Sequence, residues 1–225
     1  MLSFPRLITV AAVIAAAVFA GSASARATAI CGEGTYAYAG FDGHTASRGV
    51  SAAIAQTGPL QVRAGHVAGW IGVVEPNAAE GWLQIGLSAL PSDTTSAIYY
   101  EVASPGQAPT YHQLATGVAA GQQHRFAVLE VPSRPSWWRV WLDGKPASPP
   151  LFLRGSHGRW TAQVLGESWA GTATGTCNDY SYGFSGVSLL EPRDRAAMLD
   201  DPNYAVLRRS KSSFVATSVG NQASA

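Results

Sequence analysis

GHVAGWIGVVEPNAAEGWLQIGL, Gly65 to Leu87, is the stretch that decides the fold. Two short runs, His66 to Val74 and Gly81 to Leu87, flank a polar connector, Glu75 to Glu80, that carries a Pro-Asn turn signal. In the first run Val67, Ile71 and Val73 share one face, and His66, Trp70 and Val74 share the other. In the second, Leu83, Ile85 and Leu87 point one way while Trp82, Gln84 and Gly86 point the other. A period of two marks half-buried antiparallel strands, with the aliphatic set turned to a core. The opposite face, with Trp82 and Gln84, suits either a binding cleft or a tolerated polar position on a sheet.

Similar runs recur along the whole chain. Thr35 to Phe41 alternates weakly and meets Asp42-Gly43, a turn pair. Gly49 to Gln56, Ala97 to Ala103, Tyr111 to Leu114 and His124 to Val131 follow. Ser136 to Leu142 leads into Asp143-Gly144, a strong hairpin signal, and Leu151 to Leu153, Arg159 to Leu165 and Tyr180 to Leu190 come next. Short strands separated by turn chemistry predict an all-β protein, a two-sheet antiparallel β-sandwich or jelly roll. Only Arg193 to Leu199 looks helical, stopped by Asp200-Asp201-Pro202. Tyr204 to Arg208 and Phe214 to Ser218 read as a trailing edge. No repeat or composition break divides the chain, so residues 26–219 are expected to form one domain and residues 220–225 a frayed tail.

Composition agrees. The 225 residues carry a net charge of +1, with 13% charged residues, 24 glycines and 13 prolines, which suits a turn-rich β protein. The Lys and Arg residues are scattered, so no nucleic-acid footprint is present. Residues 1–25 read as a secretory signal: Arg6 in the n-region, an apolar run from Leu7 to Ala20, and Ala23-Ser24-Ala25 as the cleavage site. That run is short for a membrane span, so an exported protein, not membrane-bound after cleavage, is expected. Cys31 and Cys177, an even pair behind such a leader, are expected to form one disulfide. Closing so long a loop is worth up to roughly 5 kcal/mol. The five histidines show no metal-ligand spacing, no G-x-S-x-G occurs, and no Gly-rich loop opens a helix. No metal or cofactor is therefore expected.

Polar-aromatic faces carry more information. Tyr99 and Glu101 share a face, as do Trp137, Arg139 and Trp141. Set beside Trp82 and Gln84 on one sheet, they would make a ladder suited to a sugar or an extended peptide. The plain reading is that the tryptophans are core and that Arg139 stacks on them at the surface.

AGWIGV (Ala68 to Val73), GWLQIGL (Gly81 to Leu87), IYYE (Ile98 to Glu101), AQVLGES (Ala162 to Ser168) and YGFSGVSL (Tyr182 to Leu189) occur in an order that resembles the glutamic peptidases, or eqolisins. The resemblance spans Ala68 to Leu190 and implies a secreted, concanavalin A-like β-sandwich. It places Gln84 on the family's catalytic glutamine and Glu167 on its glutamate, which closes a segment read as A-E-W-I-V-E. In that pair the Glu activates water and the Gln stabilises the tetrahedral intermediate. Glu101 matches a further acid of the cleft and Trp70 the tryptophan of W-x-G; Trp82 and Tyr99 would line the same cleft. Departures are Gln163 and Val164 in the glutamate segment, and Val74 and Ser88 where the family carries aspartates. The expected function is an acid-active endopeptidase with a polypeptide substrate. The alternative is a non-catalytic module that binds a glycan or peptide in the same groove.

Overall fold

The computed structural model describes Gly34 and residues 36–76, 80–173, 177–190, 197–199 and 203–218. The expected leader, Cys31 and the expected frayed tail from residue 220 lie outside the described residues. The strands in chain order begin with β1 (Tyr36–Ala46), β2 (Gly49–Gln56), β3 (His66–Val74), β4 (Trp82–Ala89) and β5 (Ser96–Ala103). They continue with β6 (Thr110–Val118), β7 (Gln123–Glu130), β8 (Trp137–Leu142), β9 (Lys145–Pro146) and β10 (Leu151–Phe152). The last five are β11 (Thr161–Trp169), β12 (Ser181–Leu189), β13 (Ala197–Leu199), β14 (Tyr204–Ser210) and β15 (Ser213–Ser218). They form two antiparallel sheets, β13-β1-β11-β3-β4-β5-β6 and β10-β8-β7-β2-β12-β15-β14, with β9 paired to β8. The protein is the all-β sandwich that its alternation predicts.

The core lies between the sheets. Val67, Ile71, Val73, Leu83, Ile85 and Leu87 of the first sheet share one apolar cluster with Ile54, Phe126, Val128, Val140 and Phe184 of the second. Each fully buried side chain of this size is worth about 2 kcal/mol of transfer free energy. Trp138, buried in this cluster, places its indole N–H on Ser156 Oγ at 2.7 Å, so its one polar atom is satisfied. Contrary to the half-exposed pattern expected of β4, both of its faces are covered: Gln84 and Ser88 are 7% and 8% exposed.

Three expectations are corrected. Asp42-Gly43 is not a turn. β1 runs through it, pairing Asp42 with Gln163 and with Ala197, and a register irregularity follows before Ala46. Gly43 lacks the positive φ that a two-residue hairpin needs, whereas Asp143 (φ 49°) and Gly144 (φ 77°) both have it. Ala197–Leu199, the end of the predicted helix, is a strand along β1; one or two helical turns are marginal alone, and an open sheet edge offers the backbone better partners. Of the two trailing segments only β14 is a sheet edge. β15 lies inside its sheet between β12 and β14, and Tyr204 is fully buried.

Candidate functional site

Antiparallel register sets the rows of side chains on the outer face of the first sheet. One row runs Leu165, Trp70, Gly86, Tyr99, Gln113 across β11, β3, β4, β5 and β6. The next runs Gln163, Gly72, Gln84, Glu101, Tyr111 across the same strands. On the other side of the Trp70 row, Glu167 stands opposite Tyr38 and Ala68. The glycines of W-I-G and I-G-L make this arrangement possible. A Cβ on Gly86 would meet Trp70 Cα at 2.6 Å, and one on Gly72 would meet Gln84 Cα at 3.0 Å and the Leu83 carbonyl at 2.6 Å. Both glycines clear the sheet surface for a larger neighbour.

Ala68, Trp70, Tyr99 and Leu165, with Tyr38 against them, form a second apolar cluster separate from the core. Two polar networks adjoin it. In one, Trp70 Nε1 donates to Glu167 Oε2 at 2.7 Å and His66 Nε2 lies 2.8 Å from Glu167 Oε1. Each oxygen of this 6%-exposed carboxylate therefore has a ring-nitrogen partner. In the other, Gln84 Nε2 donates to Tyr99 Oη at 3.1 Å and to Glu101 Oε2 at 3.2 Å. Ser88 Oγ and Tyr111 Oη, 3.0 Å apart, continue it toward β6, where the Tyr111 ring stacks on Tyr99.

Electrostatics links the two networks. Burial pushes the Glu101 carboxyl above its ordinary range, and the Glu167 charge pushes it further. His66 and a hydrogen bond from Trp82 oppose this in part. Burial first, then the charges of Glu167 and Glu101, raise Tyr99 well above a normal phenol, so it stays a neutral hydroxyl. Tyr38 is raised for the same reasons.

The structure thus brings Gln84, Glu101, Tyr99 and Trp82 into one cluster, and Glu167 and Trp70 into a second beside it. It does not bring Trp137, Arg139 and Trp141 there. Those belong to β8 in the opposite sheet, where Arg134 covers the Trp137 ring at 4.1 Å and Arg139 lies 6.0 Å from the Trp141 ring. The expected ladder is divided between two sheets, because alternation within a strand carries no information about which sheet receives it. His66, Tyr36 and Trp169 are additions. Tyr36 stacks on Trp169 at 5.9 Å and the His66 ring sits 5.4 Å from Trp169, walling the Glu167 end of the face. His66 already shares the Trp70 face by alternation; its partner is legible only from the register of β3 with β11. Among the described residues no group of three or more His, Cys, Asp or Glu side chains is placed to hold a metal ion.

No model of a protein family matches the sequence, and no curated protein matches it. Solved structures do match by fold. Scytalido-glutamic peptidase, crystallised with a transition state analogue inhibitor, superposes with a TM-score of 0.60 at 16% identity, covering 82% of this chain and 100% of its own. SCP-B, a member of the eqolisin family of peptidases in complex with the tripeptide Ala-Ile-His, gives 0.54 at 13% identity, covering 83% of this chain and 99% of its own. The chain has the glutamic peptidase fold over most of its length.

Proposed function

We propose that this protein is an exported, acid-active endopeptidase of the glutamic type, with Glu167 as general base and Gln84 as oxyanion donor. The observation that supports it best is the seating of Glu167: a buried carboxylate held by Trp70 and His66 on the same face as the Gln84 amide. A general base must be oriented before its basicity matters. In the proposed reaction Glu167 takes a proton from a water as its oxygen attacks the peptide carbonyl carbon. The carbonyl oxygen becomes an oxyanion and accepts a hydrogen bond from Gln84 Nε2. Glu167 then returns the proton to the departing amine as the C–N bond breaks. Trp70, Trp82, Tyr99 and Glu101 would line the groove, and the tripeptide bound by SCP-B supports a polypeptide as its occupant. Export and a Cys31–Cys177 disulfide belong to the same reading.

One observation favours the alternative, a non-catalytic module for a peptide or glycan. The carboxylate bonded to the Gln84 amide is Glu101, and Glu167 is joined to other groups. The deciding experiment is cleavage of denatured protein by purified mature protein between roughly pH 2 and 5, where carboxylates titrate. Glu167→Gln should abolish cleavage with the fold intact, and Gln84→Ala should cost about 100-fold, the usual scale for an oxyanion donor. Absence of cleavage, together with saturable ligand binding lost in Gln84→Ala, would assign the module. Cleavage that survives Glu167→Gln would move the base to Glu101.

A further inference from the structure

We infer that Glu101 is a positioning residue that sets the pH range of the site through the Gln84 amide, and that Gln84 can serve an oxyanion only while Glu101 carries a proton. The inference rests on the peptidase reading above and goes on to the regulation of that site.

It starts from donor stoichiometry. A primary amide has two N–H groups. Those of Gln84 are both engaged, one by the Tyr99 hydroxyl at 3.1 Å and one by Glu101 Oε2 at 3.2 Å. With Gln84 buried, an oxyanion gains a hydrogen bond only if one of these acceptors is displaced or loosened. An ionised carboxylate is the stronger acceptor of the two. It also places a full negative charge beside the nitrogen that the oxyanion must approach. Protonation removes that charge and weakens the hold on the amide.

The charge count over the reaction points the same way. With Glu101 neutral, the site holds one negative charge throughout: on Glu167 before attack, and on the oxyanion once Glu167 has taken the water proton. With Glu101 ionised it holds two at each stage, in a buried, weakly screened place. The two carboxyls differ in their partners. Glu167 has an indole N–H on one oxygen and His66 on the other, whereas Glu101 has the neutral donors Gln84 and Trp82. The groups that act on Glu101 are therefore Glu167 from β11, His66 from β3, Trp82 and Gln84 from β4, and Tyr99 on its own strand; across it stand Tyr111 of β6 and, farther off, Tyr36 and Tyr38 of β1. His66 and Trp82 favour the charged form of Glu101, while burial and Glu167 outweigh them.

The test is the isosteric Glu101→Gln, read in two ways. In the pH profile of kcat/KM, the wild type should lose activity on the alkaline side as Glu101 ionises. Glu101→Gln should lack that limb, and near neutral pH should retain about tenfold more of its optimum rate than the wild type does, the difference expected between a charged and a neutral acceptor. An alkaline limb unchanged in Glu101→Gln would overturn the inference. The second readout needs no turnover. The side-chain amide resonance of Gln84, followed by 15N NMR, should move with pH in the wild type and stay flat in Glu101→Gln. A resonance flat in the wild type would overturn the inference even if the protein cleaves peptides. A moving resonance in a protein that cleaves nothing would retain the Glu101–Gln84 coupling and reject only the peptidase reading.

Discussion

His66 Nε2 lies 2.8 Å from Glu167 Oε1, on the oxygen that Trp70 leaves free. Two residues 101 apart in sequence are thereby locked across β3 and β11, and the carboxylate is held in one orientation by two planar rings. The His66 backbone carbonyl lies 3.4 Å from the buried Asn178 side-chain nitrogen, and the Asn178 carbonyl oxygen lies 2.9 Å from the Tyr204 hydroxyl. The C-terminal strands thus buttress the strand end that presents the imidazole.

His66→Phe keeps the ring and its contacts with Trp169 but removes one of the two partners of Glu167. Hydrogen bonds to charged groups contribute about 1.5–3 kcal/mol. The variant is expected to lose at least about tenfold in kcat/KM on a denatured protein substrate. Thermal melting should show a folded, cooperative protein.

Gly72→Ala tests how closely β3 and β4 must approach under Gln84. The added Cβ would sit 2.6 Å from the Leu83 carbonyl oxygen and 3.0 Å from Gln84 Cβ, so one strand must shift. A misplacement of this order is expected to cost cleavage about 100-fold. Ligand binding measured by calorimetry should fall less.

Glu130, its side chain 1% exposed, gathers Arg48, His157 and the Ser136 amide at 3.2, 2.8 and 2.7 Å, far from the candidate site. Burial pushes its carboxyl up, but the three hydrogen bonds more than offset this, so it lies below its ordinary value. A depressed acid contributes stability that is present above the unfolded-state value and lost as pH falls through the folded one. Glu130→Ala, which leaves the buried Ser136 amide unpaired while the half-exposed Arg48 and His157 turn to solvent, should cost about 1–3 kcal/mol near neutral pH. The difference in Tm between wild type and variant should shrink as pH drops below the carboxylate range. A gap independent of pH would contradict the assignment.

The proposed Cys31–Cys177 pairing is checked by mass spectrometry of the purified protein before and after reduction. A mass gain of two protons on reduction is expected, together with a lower Tm. Alkylation of both thiols without reduction would refute it.

Much of this architecture was legible in the sequence, for physical reasons that also explain the failures. β2 and β3 begin and end where alternation and turn residues place them. The Gln84 face was legible too, because a one-residue slip would expose Leu83, Ile85 and Leu87 together. What a single strand cannot carry is its neighbour. The pairing of Glu167 with His66, and of Gln84 with Glu101, depends on the registers of β11 with β3 and of β4 with β5. Trp137, Arg139 and Trp141 have the right chemistry in the wrong sheet for the same reason. The end of the RDRAAML segment failed differently: its helical character is local, and the open edge of β1 prevailed over it.

The union of β1 with β11 has a kinetic consequence. Gln163 Nε2 bonds Asp42 Oδ1 at 2.9 Å across a sequence separation of 121 residues. The Glu167 strand therefore meets its N-terminal neighbour only after most of the polypeptide has been synthesised. Non-local pairings of this kind carry a loop-closure cost before any contact repays it, and they place a sandwich among the slow folders. Until that closure β1 has an open edge, Tyr36 and Tyr38 have no strand beside them, and the Glu167 end of the candidate site is absent. If the site is proteolytic, as proposed, its late assembly keeps it from acting on its own nascent chain.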